Sequence, residues 1–402
     1  MKKGILNFSR EELIDIFRDD LGLKKYQVDQ VLLWIFRYGV KSFFEMTNIN
    51  KNNQRKLDDY FYIYRPNIVN VQKSEDGTIK FLLELPDHED TQRNDENLKD
   101  TEFLERECQS KESLDSIPSF RTVYNDNSIP VIKNSLTNRK KFFTIETVFI
   151  PSKKRNTICV SSQVGCVVGC KFCNTGYNGF KRSLSTEEIV GQYFIVKDYL
   201  GLWGDSDERL SNIVYMGMGE PLYNINNVLK SIDSIIYDEK EGLSRRKITV
   251  STSGIVPVMK DIIKDLKCRL AISLHAPNNK IRSEIMPIND IYDIDSLIDV
   301  CREYCEYHPS MRITFEYLLL KDINDSKECA YELVDLIRGL NAKVNIIQFN
   351  SWEGSTFIPS PKKRVLDFVK ILEDSGIEAP IRERRGEDIM AACGQLKSSK
   401  LS

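Results

Sequence analysis

Three cysteines in one short stretch, Cys166-Val-Val-Gly-Cys170-Lys-Phe-Cys173, carry the first chemistry legible in this 402-residue chain. The C-x3-C-x2-C spacing sets three thiolates on a single tight loop. Such a set can ligate three irons of a [4Fe-4S] cluster and leave the fourth iron open to a small chelating ligand. Two plainer readings stand beside it: a zinc knuckle completed by a fourth Cys or His, or three packed thiols without chemistry. Cys159 lies seven residues before the triplet, and Cys393 sits in a glycine-bounded segment near the end. Taken alone, each reads as a small apolar filler. Cys301 and Cys305, four apart on an expected helix, make half a metal site with no matching pair, and Cys108, Cys268 and Cys329 lie in no motif. All five are read as structural or incidental.

The elements that must position the triplet follow from the hydrophobic pattern. Residues 8–60 show short amphipathic helices, with Ser9 and Glu12 as a capping box before Leu13, Ile14 and Phe17, and with Val28, Val31, Leu32, Ile35 and Phe36 on one face of a second helix. Residues 67–85 read as a hairpin turning at Asp76-Gly77. From Pro86 to about Lys141 the chain is polar and lacks periodic apolar positions, which predicts a disordered insertion. Its flanks, TIKFLLEL and FFTIETVFIP, both read as strands able to pair once it is looped out. From residue 157, TICVSSQ, NIVYMGM, KITVSTSG, RLAISLHA, RITFEYLLL and KVNIIQFN are β-branched runs, each followed by a helical pattern. Six strand-helix units predict an α/β fold, a partial (β/α)6 barrel whose functional groups gather at the C-terminal strand ends. The expected organisation is a helical accessory domain (1–65), a hairpin and linker region (66–150) holding the 86–141 insertion, the barrel (151–380), and a C-terminal tail (381–402).

Composition narrows the class. With 41% hydrophobic and 29% charged residues the chain can bury a large core. No apolar run approaches the roughly 18 residues of a membrane span or forms a signal-peptide core. A cytoplasmic protein is therefore expected, or an organellar one if a transit peptide has been removed, and with it reduced thiols rather than a disulfide framework. The net charge of −2 advertises no nucleic-acid binding; without the 86–141 stretch it becomes +1, so any RNA site must be a local basic patch.

The triplet with Phe172 before its third cysteine is similar to the radical S-adenosylmethionine (SAM) superfamily. More narrowly, Cys159-Val-Ser-Ser-Gln-Val-Gly-Cys166 and the tail Arg385-Gly-Glu-Asp-Ile-Met-Ala-Ala-Cys393-Gly-Gln-Leu396 resemble the RlmN/Cfr family of adenosine RNA methyltransferases. The resemblance runs through the helical region, hairpin, barrel and tail and omits the insertion. It implies that Cys166, Cys170 and Cys173 bind a [4Fe-4S] cluster. Gly219, Glu220, Ser251, Ser273, Leu274, His275 and Asn350 would then hold SAM. Cys393 becomes the methyl carrier, Cys159 the thiol that resolves the product through a disulfide, and Glu146 in IETVFIP the proton acceptor. By itself Glu146 is only a charge near a strand, and His275 alone reads as a buried, satisfied histidine. Asn174 departs from the family pattern, which usually has a smaller residue there.

The implied reaction is methylation of adenosine carbon 2 in large-subunit ribosomal RNA, and in bacteria also in tRNA, with two SAM molecules consumed per turnover. Carbon 2 is electron-poor, so polar methyl transfer to it should fail and a radical route is reasonable. Thiolate chemistry at Cys159 and Cys393 leads us to expect partly exposed sites. The target base must leave its stack to enter the barrel mouth, which favours loop RNA. Lys153, Lys154, Arg155, Lys181, Arg182, Arg382, Arg384 and Arg385 are the candidate phosphate contacts. The resemblance further implies an electron donor such as flavodoxin or ferredoxin, action as a monomer, and no membrane. Two alternatives stay open: a Cfr-type enzyme that methylates carbon 8, although SSQVGCVVGC looks nearer to RlmN, and a non-catalytic cluster-carrying or RNA-binding protein.

Overall fold

A computed structural model describes residues 2–86, 142–153, 155–204, 206, 208–236 and 243–397. Cys108, Lys154 and the 87–141 part of the insertion reading lie outside the described residues.

Helix α1 (Arg10–Asp19) begins at the expected capping box: the Ser9 amide donates to Glu12 Oε2 at 2.6 Å and the Glu12 amide to Ser9 Oγ at 3.2 Å. Helices α2 (Lys25–Phe36) and α3 (Lys51–Tyr60) complete the N-terminal part, with Val28, Val31, Leu32, Ile35 and Phe36 all buried. Strands β1 (Lys3–Gly4) and β2 (Phe61–Tyr62) join the two ends of this region in a short parallel pair.

The hairpin is β3 (Asn67–Lys73) and β4 (Ile79–Pro86), with Gly77 at positive φ in the turn. Strand β5 (Phe142–Ile150) pairs antiparallel with β4 from Ile79↔Phe149 to Pro86↔Phe142, so the chain leaves and re-enters the sheet at facing residues, as the flanking strands predict. Six parallel strands follow in one sheet: β6 (Asn156–Cys159), β9 (Leu210–Tyr215), β10 (Ile248–Thr252), β11 (Arg269–Ser273), β12 (Ile313–Leu319) and β13 (Ala342–Gln348). They are the six predicted runs. The first is shorter than expected: it ends at Cys159, and the chain re-forms as β7 (Gln163–Gly165), which pairs with β8 (Phe180–Ser183) in a separate ribbon around the cysteine loop.

Between these strands lie α4 (Asn174–Tyr177), α5 (Thr186–Leu200), α6 (Ile225–Ile235), α7 (Val256–Ile262), α8 (Asn279–Ile285), α9 (Ile294–Tyr307), α10 (Lys327–Leu336) and α11 (Lys362–Asp374). Helix α5 is buried from Thr186 to Val196, because the sheet covers one side and the N-terminal helices the other, with Phe36 against Phe194 at 5.2 Å between ring centres. Its Gln192 enters the sheet: Oε1 accepts from Thr147 Oγ1 at 2.7 Å and the Ser161 amide at 2.8 Å, while Nε2 donates to Ser161 O at 2.9 Å. One buried amide thus pins β5 to the exit of β6, where polar groups must be paired internally. Among the described residues no helix is long and apolar enough to cross a membrane.

Candidate active site

The cysteine loop hangs from the β7–β8 ribbon. Gly165 turns it with φ 79°, and a Cβ there would come within 1.8 Å of Gly179 O, so no other residue fits. The Cys166 amide donates to Gly179 O at 3.2 Å and the Cys173 amide to Cys170 O at 3.0 Å, closing the loop on itself. Amide N–H groups of Val168 and Gly169 face Cys166, and those of Thr175 and Gly176 face Cys173. Such donors stabilise a thiolate. Burial pushes all three thiols up, and at Cys166 and Cys170 the charge of the neighbouring cysteines adds to it. A metal centre reverses that balance, because a coordinating thiol is deprotonated outright. Among the described residues, no three His, Cys, Asp or Glu side chains are arranged around one ion.

The residues that the resemblance implies for SAM lie at the ends of β9, β10, β11 and β13. Gly219, after β9, has φ 101°, and a Cβ there would meet Gln163 at 2.5 Å. Glu220 is buried with both oxygens accepting from the protein: Oε1 from the Leu222 amide at 3.1 Å, Oε2 from the Ser253 amide at 2.8 Å and hydroxyl at 2.9 Å. Ser251 lies in β10 and Ser273 ends β11. His275, just beyond β11, sits at φ 57°, and its Nδ1 accepts from the Leu318 amide at 3.0 Å. Burial, then Arg282, pushes its pKa down to about 3, so the ring is neutral and carries its proton on Nε2. Phe172 of the cysteine loop meets it edge-on at 4.9 Å. Asn350, after β13, is buried, and its Oδ1 has no hydrogen-bond partner.

Arg282 ties these ends together. Fully buried, it donates to Leu274 O at 3.2 Å, Ser253 O at 2.6 Å, Ser273 O at 3.2 Å and Asn289 Oδ1 at 3.0 Å. Burial lowers its pKa to about 10, still far above neutrality.

The other wall comes from β4–β6 and the tail. In the register, Val148 faces Lys80 on one side and Cys159 on the other. Glu146, two residues from Val148, therefore shares a sheet face with both. Cys159 is buried, only 7% exposed, and not the partly exposed thiol expected: it lies mid-sheet, paired with Val148 on one side and Val214 on the other. Burial and then the charge of Cys393 push its pKa up to about 12, opposed by Arg382 and the Met216 amide. Cys393 is half-buried, and it is close enough to raise Cys173 as well. Both Cys159 and Cys393 are unpaired thiols.

Two sets of contacts seat the Cys393 segment. From the hairpin, Asp76 Oδ2 accepts from the Gly386 amide at 3.0 Å, Ser74 Oγ donates to Asp388 Oδ1 at 2.6 Å, and Lys80 Nζ donates to Met390 O at 3.1 Å. From the cysteine loop, the Asn174 amide donates to Gly394 O at 2.8 Å, Asn174 Nδ2 to Gln395 O at 3.0 Å, and Thr175 Oγ1 to Leu396 O at 2.7 Å. The Lys397 amide donates to Glu146 Oε2 at 2.9 Å. The unusual Asn174 is thus a tail contact.

The comparisons with known proteins agree with this architecture. Residues 3–63 match the family described as the ribosomal RNA large subunit methyltransferase N-terminal domain, and residues 160–334 match the radical SAM superfamily. The dual-specificity RNA methyltransferase RlmN of Rhodospirillum rubrum is 39% identical over 401 residues, covering 99% of this chain and 81% of that one. Its counterpart in Gluconobacter oxydans is 40% identical over 403 residues, covering 99% and 86%. The chain belongs to the RlmN family of radical SAM methyltransferases. A crystal structure of a radical SAM methyltransferase from Sphaerobacter thermophilus superposes with a TM-score of 0.77 at 32% identity, over 98% of this chain and 99% of that one.

The RlmN motifs did not disclose Lys80, Gln192 or Arg282, which lie outside them. A lone lysine in TIKFLLEL opposite a lone glutamate in FFTIETVFIP was the available signal for Lys80, once the two strands are paired. Of the candidate phosphate contacts, Lys153, Arg155 and Lys181 are exposed. Arg182 is committed to Glu188 through two 2.7 Å bonds, Arg384 to Glu387 and Arg385 to Glu383. Arg382 turns inward, 3.9 Å from Glu316 Oε2 and acting on Cys393 and Cys159, because its backbone amide bonds Ile346 O at 2.8 Å beside β13.

Proposed function

We propose that this chain methylates carbon 2 of an adenosine in large-subunit ribosomal RNA, and of a tRNA adenosine as a second substrate, through a methyl group carried on Cys393. The observation that carries the reading is the convergence of the distant Cys393 tail on Glu146, Cys159 and the triplet loop. A non-catalytic cluster or RNA carrier has no use for two apposed thiols beside a buried carboxylate.

Cys166, Cys170 and Cys173 would hold a [4Fe-4S] cluster, and Gly219, Glu220, Ser251, Ser273, Leu274, His275 and Asn350 would hold SAM. The amides facing the thiols, the unpartnered Asn350 Oδ1 and the neutral His275 with Nε2–H available suit those groups. When bound, the pair supplies reductive cleavage of a carbon–sulfur bond and hence hydrogen abstraction from an unactivated methyl group. Cys393 thiolate accepts a methyl group and, after losing one hydrogen atom, its methylene radical adds to adenine carbon 2; the adduct radical then gives up one electron, which the cluster would take back, and a closed-shell covalent protein–RNA adduct remains. Glu146 takes the proton from carbon 2. Cys159 thiolate then attacks Cys393 Sγ, the sulfur–carbon bond breaks with its electron pair going to the methylene carbon, that carbon takes a proton, and methylated RNA leaves with the two thiols joined as a disulfide. A flavodoxin- or ferredoxin-type donor would return the electrons. Arg382 supports each thiolate in turn, since it acts on both.

The test is reconstitution under anaerobic conditions with methyl-deuterated SAM and ribosomal RNA, followed by mass spectrometry of nucleosides. Expected is 2-methyladenosine keeping two deuteriums of the transferred group. A product with three deuteriums would remove the Cys393 radical route, and 8-methyladenosine would assign the chain to the Cfr type.

A further inference from the structure

The proposed reaction needs Glu146 ionised where burial opposes its charge. Its side chain is 9% exposed and that of Lys80 is 7% exposed, with Lys80 Nζ 3.0 Å from Glu146 Oε1. The same ammonium donates to Met390 O at 3.1 Å, three residues before Cys393. The other carboxylate oxygen accepts from the Lys397 amide, four residues after Cys393. A hairpin strand serving stability alone would do as well with an apolar residue here, since buried ion pairs rarely outperform apolar packing.

We propose that Lys80 is the positioning residue of the proton acceptor: its ammonium keeps Glu146 a carboxylate, fixes Oε1, and ties the base to the segment that carries the methyl group. The inference rests on the reading of Glu146 as proton acceptor. The step served is the move of one proton from carbon 2 of the adduct to Glu146, with the C–H electron pair staying in the purine; nothing is oxidised or reduced.

The sheet register makes this juxtaposition unavoidable. Lys80 faces Val148, Glu146 is the next residue on that face of β5, and a lysine easily spans the diagonal. The charges acting on Glu146 come from Lys80 on β4 and Lys397 on the tail; Cys159 on β6 shares its face, and Met218 Sδ accepts its amide N–H. Lys397 is exposed and its charge is screened by water, which leaves Lys80 as the buried cation. Burial holds Glu146 above the usual carboxylate range, and Lys80 pulls it back. A base works deprotonated, so product release is lost as pH falls through the Glu146 pKa, and removing Lys80 must move that limb to higher pH.

The experiment is a single turnover of reconstituted enzyme, already methylated on Cys393, with ribosomal RNA between about pH 5.5 and 9. Covalent adduct and released product are both measured. Lys80→Met should shift the acidic limb of release up by about one pH unit or more, accumulate adduct below it, and approach wild-type release at the alkaline end. Lys80→Arg should keep the wild-type limb, and Lys80→Gln replaces Lys80→Met if the latter does not fold. Infrared titration of the carboxylic C=O band absent from Glu146→Gln gives the same shift without turnover. An unshifted limb and band in Lys80→Met, with release lowered equally at every pH, would overturn the proposal. Glu146→Gln separates the two ideas: persistent adduct at every pH upholds the base, whereas normal release removes it and Lys80's task together.

Discussion

The two walls of the site are built differently. At the barrel end, single buried side chains satisfy several backbone groups at once: Arg282 binds three carbonyls, and Asn324 donates to His275 O and Leu318 O, each at 2.7 Å. What remains unspent there is Asn350 Oδ1, buried and without a hydrogen-bond partner. The tail is seated instead by single hydrogen bonds from two directions, one of them between half-buried Ser74 and exposed Asp388. A rigid receptor suits SAM, which must bind in one pose. In the proposed reaction the carrier must meet a methyl donor, a base and a resolving thiol in turn, which suits a segment whose contacts are individually weak, because local opening then costs far less than unfolding.

The sharpest way to break this contrast is Arg282→Met. It takes a donor from three buried carbonyls at the ends of β10 and β11, at a cost of about 3–5 kcal/mol, so thermal denaturation should show a marked fall in Tm. An unchanged Tm would mean the strand ends do not depend on this guanidinium. Asn174→Ala should do far less to the fold and more to the tail. Losing the Gln395 contact costs about 1 kcal/mol; Tm should barely move, while hydrogen exchange over 386–397 quickens about fivefold. Equal loss in both measurements would make the tail part of the rigid core. The smallest effect separates the two thiols by alkylation. Cys159, with its pKa near 12, should react after the half-buried Cys393 and gain about tenfold in rate per pH unit above neutrality. Reversed order would place the resolving thiol, not the carrier, at the accessible position.

Much of the fold was legible because its signals are local. Apolar β-branched runs with helical intervals specify parallel strands, Ser9 and Glu12 cap their own helix, and Asp76-Gly77 turns its own hairpin. The triplet was legible for the same reason, since its three thiols share eight residues. Cys159 was misjudged in exposure because burial depends on which strands flank β6, and its sequence neighbours do not state that. The charges near the motif loops were judged alike, yet the structure sends Arg382 inward and pairs Arg182 with Glu188. Proximity in sequence says nothing about which face of a strand a residue takes once another element covers it.

Composition and pattern by themselves determined the class of fold and the order of its elements, and marked the triplet as a set of thiols able to carry a cluster; methyl chemistry at Cys393 came only from the family resemblance. Tertiary structure alone decided that Lys80, Glu146, Cys159 and Cys393, spread over more than three hundred positions, meet in one place. The physical reason is that sheet register and tail docking are long-range choices. They are made by pairing many backbone groups at once, and a single residue's type carries almost none of that information.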